Sequence, residues 1–351
     1  MSLNKTIGIL GGGQLAKMLA IAAANLGFNI NIYCPDRDCP AAQVANKVIF
    51  GNYDDSENLV AFAKNVDILT YEFENIDTKA LEELDQQVEI RPSIKALKIS
   101  QDRYTEKSYL NSLGIKTTQF YKIDSVADIE KLLNRLKKPI LIKTRRLGYD
   151  GKGQVLIKNQ DDINQYFLGK SLAPSITEEV ISFDRELSVI IVRDKKGNIK
   201  TFEPGENVHE HGILLTTTLP TSTSEVLKNN ATIIAKKIVD DLGYIGVMGV
   251  EFFLKGQELY VNEIAPRVHN SGHWTMDGSY SSQFQQHIRA IMDLPLLSTE
   301  RHSDVIMYNL IGTVTSNLVN NELAKVYIYG KKDVLPGRKM GHVNLIKKKG
   351  S

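Results

Sequence analysis

Two glutamates in one predicted hairpin are the residues of this chain best suited to hold a metal ion. Glu251 and Glu263 each lie in an apolar run, and residues 255–257 (Lys-Gly-Gln) separate the runs, which predicts a β-hairpin with a short loop. A carboxylate among apolar residues is costly unless something compensates its charge. With a three-residue loop, both carboxylates face one side of the sheet, and with the Asn262 amide they suit Mg²⁺ shared with substrate phosphates. A two-residue loop would place them on opposite faces, and an ordinary hairpin with rim carboxylates is the alternative interpretation.

A glycine-rich loop at residues 148–154 is a candidate phosphate site. It lies between two predicted strands, residues 139–143 and 155–157, and it follows Lys143. It lacks the Gly-Lys-Ser/Thr ending of a P-loop. A glycine loop between strands can fold over a triphosphate and offer backbone N–H groups, while a nearby lysine neutralises phosphate charge. A flexible hairpin tip is the alternative, and the lysines favour phosphate.

Cationic and polar residues gather in three further loops. Residues 265–274 include Arg267, His269 and Asn270 directly after the glutamate hairpin, a combination that packing alone does not explain. Two basic turns, residues 330–332 and 336–339, follow near the C-terminus. Clustered cations on turns suit capture of a phosphate monoester, although solvated loops are the alternative.

The first hundred residues have the pattern of a parallel sheet with helices. Strands are predicted at residues 5–10, 29–33, 48–50 and 67–70, and a glycine turn opens a helix that ends near residue 26. Gly11, Gly13 and Ala16 fit the degenerate dinucleotide fingerprint, which is a weak signal alone. Glu72 follows the fourth strand at the edge where open α/β sheets bind ligands, although a solvated loop is the alternative.

The pattern becomes mixed after residue 100. Residues 101–113 form a charged helix, interpreted as a solvated face, and residues 224–242 an amphipathic helix. A strand at residues 186–192 leads into a hairpin turn at residues 195–198. Short strands at residues 305–310, 325–329 and 341–346 close the chain.

Composition limits the classes of function. A chain of 351 residues suits two or three domains. Lys and Arg total 43 against 41 Asp and Glu, and this net charge of +2 argues against a surface that binds nucleic acid. We expect no membrane partner and a cytoplasmic location, because no long apolar stretch or signal peptide is present. Cys34 and Cys39 fit no strong zinc or redox pattern.

Seven segments together resemble the ATP-grasp superfamily, and within it the N5-carboxyaminoimidazole ribonucleotide synthetase family of ATP-dependent carboxylases. They span nearly the whole chain: residues 11–15, 71–75, 101–103, 148–154, 262–267, 269–274 and 336–342. The glycine loop, the Asn-Ser-Gly-His run and the Gly-Arg-Lys-Met-Gly-His run are the specific ones. Ala16-Lys17 departs from the Gly-Arg pair that is common in the family.

The resemblance implies an α/β and α+β fold in three parts. These are a Rossmann-like parallel sheet at residues 1–100, a two-lobed ATP-grasp domain at 101–300 and a small β-rich domain at 301–351. The implied reaction carboxylates the amine of 5-aminoimidazole ribonucleotide through carboxyphosphate and gives ADP and phosphate, in purine biosynthesis. ATP, Mg²⁺ (or Mn²⁺) and the co-substrate bicarbonate are the implied small molecules, and a homodimer is the implied assembly.

The resemblance also implies roles for individual residues. The implied ATP contacts are Arg103, Lys143, Gly148, Tyr149, Asp150, Gly151, Lys152, Gly153, Gln154, Glu178, Glu179, Val180, Ile181, Glu186, His209, Asn262 and Glu263. Glu251 and Glu263 would hold the metal. The implied contacts to bicarbonate or the ribonucleotide are Gln14, Glu72, Tyr149, Lys152, Arg267, His269, Asn270, Lys331, Arg338 and Lys339. Among all of these, the implied catalytic residues are Asp150, Lys152, Arg267, Lys331 and Arg338, and Asp150 would handle a proton.

Two alternatives stay open at this point. Another ATP-grasp carboxylate–amine ligase would share every ATP residue and differ only in its acceptor pocket. A nicotinamide-dependent oxidoreductase would use the first glycine turn, with Asp36 on the ribose. That second alternative leaves the later glycine loop and the glutamate hairpin unexplained.

Overall fold

The N-terminal part is a four-stranded parallel sheet, in a computed structural model that describes residues 4–148, 152–167, 172–312 and 316–348. The strand order is β3-β2-β1-β4. The strands are β1 (Thr6–Leu10), β2 (Asn29–Cys34), β3 (Lys47–Phe50) and β4 (Ile68–Tyr71). The helices are α1 (Gln14–Ala24), α2 (Ser56–Ala63), α3 (Thr78–Leu84) and α4 (Ile94–Ser100). All four predicted strands are confirmed, and β1 and β4 are apolar runs covered on both faces, as parallel strands usually are.

A small antiparallel sheet follows, in the order β5-β8-β6-β7. Its strands are β5 (Phe120–Ile123), β6 (Ile140–Thr144), β7 (Gln154–Ile157) and β8 (Ser175–Glu179). The helices α6 (Val126–Leu136) and α7 (Gln160–Phe167) pack on it through a core that includes Ile129, Ile140 and Ile157. The glycine loop therefore joins adjacent antiparallel strands, as predicted.

The remaining strands form one nine-stranded sheet. Its order is β14-β13-β9-β11-β12-β15-β17-β16, and β10 pairs with β9. The strands are β9 (Arg185–Arg193), β10 (Ile199–Thr201), β11 (Gly205–Glu210), β12 (Ile213–Leu219), β13 (Gly246–Lys255), β14 (Glu258–Ala265), β15 (Ser303–Ile311), β16 (Ala324–Ile328) and β17 (Lys339–Lys348). Because β12 pairs with β15, the C-terminal strands continue this large sheet. The fold is thus mixed α/β, as expected.

Helices cover both faces of the large sheet. One core contains α8 (Glu225–Asp241), which the sequence predicted, and another joins α10 (Gln283–Ile291) to α1. Two short helices, α9 (Thr275–Gly278) and α11 (Ser316–Val319), complete this part. No helix of the described chain is both long enough and apolar enough to cross a bilayer.

Buried polar contacts tie the N-terminal part to the large sheet. Arg91, which is 2% exposed, donates to the Ile291 carbonyl at 2.6 Å and pairs with Asp293 at 2.8 Å. Thr70 Oγ1 lies 3.0 Å from His287 Nε2. These contacts fix β4 and the segment at Arg91 relative to the helix α10, which packs on the large sheet.

The charged helix predicted at residues 101–113 forms as α5 (Arg103–Ser112), but its interpretation as a solvated face is wrong in part. Glu106 is 2% exposed and Lys107 is 0% exposed. Both side chains lie between α5 and β14. The N–H of Ile264 donates to Glu106, while Lys107 donates to the Asn262 carbonyl and pairs with the Glu178 carboxylate.

Candidate active site

A β-bulge places the two hairpin glutamates side by side. The predicted hairpin forms, and the loop between β13 and β14 has two residues, 256 and 257, which is the second of the two alternatives. The ladder then shifts by one residue at Asn262, and Glu251 pairs directly with Glu263. Paired residues share a face, so the bulge restores the arrangement that a two-residue loop alone would prevent.

The two carboxylates divide their charge unequally. Burial, and next the charge of Glu263, raise the pKa of Glu251 to about 7. Burial acts on Glu263 as well, but Arg103 lies 3.2 Å from it and holds the pKa of Glu263 below its ordinary value. Near neutral pH, Glu263 is therefore ionised while Glu251 keeps a proton part of the time. A cation placed between them would displace that proton.

The donor set around this pair fits Mg²⁺. Asn262 Oδ1 is buried and has no hydrogen-bond partner among the described residues. Two carboxylates and an amide oxygen are hard ligands of the type that Mg²⁺ prefers. No group of three or more His, Cys, Asp and Glu residues in the described part forms a metal cage of its own. An ion here would therefore complete its coordination with phosphate oxygens and water.

Two histidines border the glutamate pair, and their pKa values are shifted in opposite directions. His209 Nδ1 lies 2.7 Å from Glu186 Oε2. Burial lowers the pKa of His209, but the hydrogen bond to Glu186 and the charge of Glu251 outweigh it, so the pKa is raised. Burial and the charge of Arg267 lower the pKa of His269 to about 3, so this ring is neutral. His269 Nε2 lies 3.5 Å from Glu251 Oε1.

A buried ion cluster orients the predicted phosphate lysine. Lys143 Nζ lies 3.0 Å from Glu178 Oε1, and Lys107 Nζ lies 3.4 Å from Glu178 Oε2. Thr118 Oγ1 donates to the same carboxylate at 2.8 Å. Burial opposes ionisation, yet the two lysines lower the pKa of Glu178 to about 2. Glu178 therefore anchors Lys143, and the ATP contact implied for Glu178 stays a prediction.

The segment after Glu178 leads from the small sheet to the large one. Glu179 forms an ion pair with Lys138, and Val180 is 48% exposed. Ile181 is half-buried.

The base of the glycine loop reaches the glutamate pair. Arg103 Nη2 donates to the Gly148 carbonyl at 3.4 Å, while its Nη1 contacts Glu263. Lys152, Gly153 and Gln154 are exposed at the other end of the loop. Three predicted site residues, Tyr149, Asp150 and Gly151, lie outside the described residues, and the proton-handling role of Asp150 stays a prediction.

A basic region adjoins the neutral histidine. Arg267 Nη2 pairs with Glu74 Oε1 at 2.7 Å, and Lys331 Nζ donates to the Lys339 carbonyl at 2.7 Å. The charge of Lys339 contributes to the low pKa of His269. Both amide atoms of Asn270 are buried without a hydrogen-bond partner in the part of the chain described.

Arg338 is the member of the predicted basic set that contacts its own turn. Its Nη1 donates to the Asp333 carbonyl at 2.9 Å, in an exposed position. The basic region accordingly has three cations gathered around His269 and Glu72, with Arg338 at its rim.

Glu72 fills the anion site at the first glycine turn. Its carboxylate accepts hydrogen bonds from the N–H groups of Gly13 and Ala16, the latter at 2.8 Å. Burial raises the pKa of Glu72, and these bonds and the charge of Arg267 oppose that shift. Gln14, the first residue of α1, is half-buried beside it. Because a dinucleotide would need the same N–H groups for its pyrophosphate, this arrangement weighs against the oxidoreductase alternative.

Sequence reasoning missed three functional neighbours: Glu74, Glu106 and Lys107. Glu74 pairs with Arg267, and the other two support the glutamate hairpin. A signal was available for α5, because Arg103, Glu106 and Lys107 share the spacing of one helix face with buried Leu110.

Comparison with family models gives three consecutive matches. Residues 4–101 match the ribonucleotide synthetase preATP-grasp domain, and residues 108–284 match the ATP-grasp domain. Residues 305–351 match the phosphoribosylaminoimidazole carboxylase C-terminal domain. The three ranges follow one another along nearly the whole chain.

Individual proteins are similar to this chain over nearly its whole length and nearly the whole of theirs. The N5-carboxyaminoimidazole ribonucleotide synthase of Brucella melitensis is 46% identical over 350 residues, which cover 98% of this chain and 97% of the relative. An N5-carboxyaminoimidazole ribonucleotide synthetase solved as its ADP complex is 37% identical with a TM-score of 0.94, covering 98% of this chain and 92% of that one. The Aspergillus clavatus synthase, solved with ADP and 5-aminoimidazole ribonucleotide, is 32% identical with a TM-score of 0.92, covering 99% and 95%.

Proposed function

The chain belongs to the N5-carboxyaminoimidazole ribonucleotide synthase family of ATP-grasp ligases, and from this premise we propose how its own residues perform the reaction. It is an ATP-dependent ligase of purine biosynthesis that carboxylates the amine of 5-aminoimidazole ribonucleotide. The proposal adds bicarbonate as the carboxyl source and Mg²⁺ as the metal. The observation that supports it most is the direct pairing of Glu251 with Glu263 on one face of β13 and β14.

The glutamate pair and its cationic neighbours would position the triphosphate. Mg²⁺ held by Glu251 and Glu263 would neutralise phosphate charge. Arg103 contacts both Glu263 and the base of the glycine loop, so it can bridge metal and phosphate. Lys143, held by Glu178, supplies a second fixed positive charge. Phosphoryl transfer depends mainly on such positioning and charge neutralisation.

Bicarbonate would be activated beside this cluster. An oxygen of bicarbonate attacks the γ-phosphorus and ADP leaves, which gives carboxyphosphate. The amine then attacks the carboxyl carbon and phosphate leaves, so that the carbamate forms and the amine proton must be removed. Neutral His269 and the buried amide of Asn270 face this region and can hydrogen-bond the carboxyl group without adding charge. Water destroys carboxyphosphate, so residues 148–154 are proposed to cover the phosphates.

The basic region would bind the ribonucleotide phosphate. Arg267, Lys331 and Lys339 concentrate positive charge near His269, and Arg338 at the rim would add to it on binding. Guanidinium and ammonium donors suit a phosphate monoester. Glu72, which lies against this region, is proposed to meet the ribose. A homodimer and a cytoplasmic location belong to the proposal as well, supported by the family membership alone.

The direct test is ADP formation measured with each component omitted in turn. ADP should form only when ATP, Mg²⁺, bicarbonate and 5-aminoimidazole ribonucleotide are all present. ADP formation that ignores the ribonucleotide, or that prefers another amine acceptor, would refute the assigned acceptor and point to a different carboxylate–amine ligase.

A further inference from the structure

Two adjacent residues of α5 bond the backbone on either side of Glu263. The carbonyl oxygen of the bulge residue Asn262 accepts from Lys107 Nζ at 3.1 Å. The N–H of Ile264 donates to Glu106 Oε1 at 2.6 Å. The outer edge of β14 is therefore held at the bulge itself by side chains from a helix outside the sheet.

Lys107 also reaches the small sheet. It is 0% exposed, and its Nζ lies 3.4 Å from Glu178 Oε2 and 3.4 Å from Thr118 Oγ1. Glu178 in turn holds Lys143. One ammonium group thus connects β14 in the large sheet with β8 in the small sheet.

These bonds matter because the metal pair depends on the bulge. A bulge leaves one residue without a cross-strand partner, and its backbone groups need another source of hydrogen bonds. If the bulge closed, the register would move by one residue and Glu263 would turn to the opposite face. Lys107 satisfies the carbonyl of the bulge residue Asn262, and Glu106 satisfies the outward-facing N–H of Ile264 on the other side of Glu263.

We propose that Glu106 and Lys107 are positioning residues for the reaction. They hold the β14 bulge, and the bulge keeps Glu263 beside Glu251. Through Glu178, Lys107 also fixes this pair relative to Lys143. The inference rests on the proposed function, because the metal role of the pair belongs to it. In this proposal the two side chains contact neither substrate nor metal and act through the backbone of β14.

The chemistry of Glu106 allows a discriminating variant. Burial, and next the charge of Glu263, raise the pKa of Glu106 to about 8, so the side chain is mostly neutral at pH 7. Glu106→Gln keeps an oxygen that can accept from the N–H of Ile264, at nearly the same side-chain size. Glu106→Leu removes the acceptor at nearly constant volume, and Glu106→Asp keeps a carboxyl group but shortens its reach. Leu110→Val, on the same buried face of α5, is a matched control that loosens the packing of the helix in the same core but keeps both side-chain bonds to β14.

The experiment measures two quantities for each variant of the full chain. One is the Mg²⁺ concentration that half-maximally supports ADP binding, followed by calorimetry, and the other is the KM for 5-aminoimidazole ribonucleotide. Glu106→Leu should raise the Mg²⁺ requirement about 10-fold to 100-fold, as loss of a ligand-orienting partner does, and should change that KM little. Glu106→Gln should stay near wild type, and Leu110→Val should lower the melting temperature without moving the Mg²⁺ requirement. Should Glu106→Leu fail to fold, Glu106→Asp replaces it in the test and should also raise the Mg²⁺ requirement.

Two results would overturn the inference. One is an unchanged Mg²⁺ requirement in Glu106→Leu or Glu106→Asp, and the other is an equal rise in Leu110→Val. Because Mg²⁺-dependent ADP binding needs no ribonucleotide, this readout stays informative if the wild type proves to carboxylate a different amine. If the proposed function is wrong, that will show in the ADP-formation assay of the wild-type protein, which is separate from the ADP-binding measurement used here.

Discussion

At the scale of single residues, the proposed metal site consists of two carboxylates that differ in charge. Arg103 stabilises ionised Glu263, whereas the charges that act on Glu251 include the carboxylate of Glu263 and the His209–Glu186 pair. The pair is therefore ready to exchange one proton for a divalent cation. This exchange links metal binding to pH near neutrality.

Mg²⁺ binding should release a proton around pH 7. In the metal-free cleft the pKa of Glu251 is raised from 4.5 to about 7, so the carboxyl group is increasingly protonated as the pH falls below that value. Protonated Glu251 cannot serve as a metal ligand, and the apparent Mg²⁺ affinity should fall from pH 8 to about pH 6. Calorimetry of MgADP binding in buffers of different ionisation enthalpy measures the protons released. An affinity independent of pH, with no proton released at about pH 6.5, would contradict the assignment.

At the scale of elements, the turn before α1 holds a carboxylate of this chain where a dinucleotide would place its pyrophosphate. Glu72, from the segment after β4, accepts from two N–H groups of that turn and so caps the helix. The same glycines that suggested a dinucleotide site make room for this carboxylate, since an added Cβ at Gly13 would lie 2.8 Å from Glu72 Oε1.

Removal of this cap should destabilise the N-terminal part. Glu72→Ala leaves two buried N–H groups without their acceptor, and the free energy of unfolding should fall by about 1–3 kcal/mol. Glu72→Gln keeps one acceptor oxygen and should lose less. Urea unfolding of the three proteins gives the comparison. Equal stability of Glu72→Ala and wild type would contradict the capping role, as would a rise in melting temperature with NAD.

The elements themselves could be predicted from the sequence far better than the site they build. Apolar runs and turn residues located β1 to β4 and α8, because local periodicity reports burial directly. The bulge at Asn262 could not be predicted in the same way, since its backbone is satisfied by Glu106 and Lys107, more than 150 residues away. The burial of Glu106 and Lys107 could not be predicted for the same reason, because their partners in β14 lie far away along the chain. The family resemblance supplied residue roles that spacing alone left open.

At the scale of the whole molecule, a contact from α1 positions the C-terminal basic turn. Lys17 Nζ donates to Gln43 Oε1 at 2.7 Å and to the Tyr329 carbonyl at 3.1 Å. Lys331 follows two residues later in the chain. The Ala16-Lys17 departure from the family pattern therefore falls where the N-terminal part meets the last strands of the large sheet.

Loss of this contact should weaken binding of the ribonucleotide and spare the nucleotide site. Lys17→Met removes the bond to the Tyr329 carbonyl, and the turn that carries Lys331 should become less well fixed. We expect the KM for 5-aminoimidazole ribonucleotide to rise about 10-fold, the effect of about 1.4 kcal/mol, while the KM for ATP stays unchanged. Lys17→Arg, which can still donate to Tyr329, should recover most of the loss. Equal changes in both KM values, or none, would contradict the assigned role.

The proposed mechanism depends on a metal ion held between β13 and β14 and shared with the nucleotide. The most direct measurement is the ADP affinity of Glu263→Gln by calorimetry, with Mg²⁺ and again with EDTA, beside Glu258→Gln, an exposed glutamate of the same strand. Wild type and Glu258→Gln should bind ADP more tightly with Mg²⁺ than with EDTA, and Glu263→Gln should lose that difference. A Mg²⁺ effect that survives in Glu263→Gln, or that disappears equally in Glu258→Gln, would contradict the account.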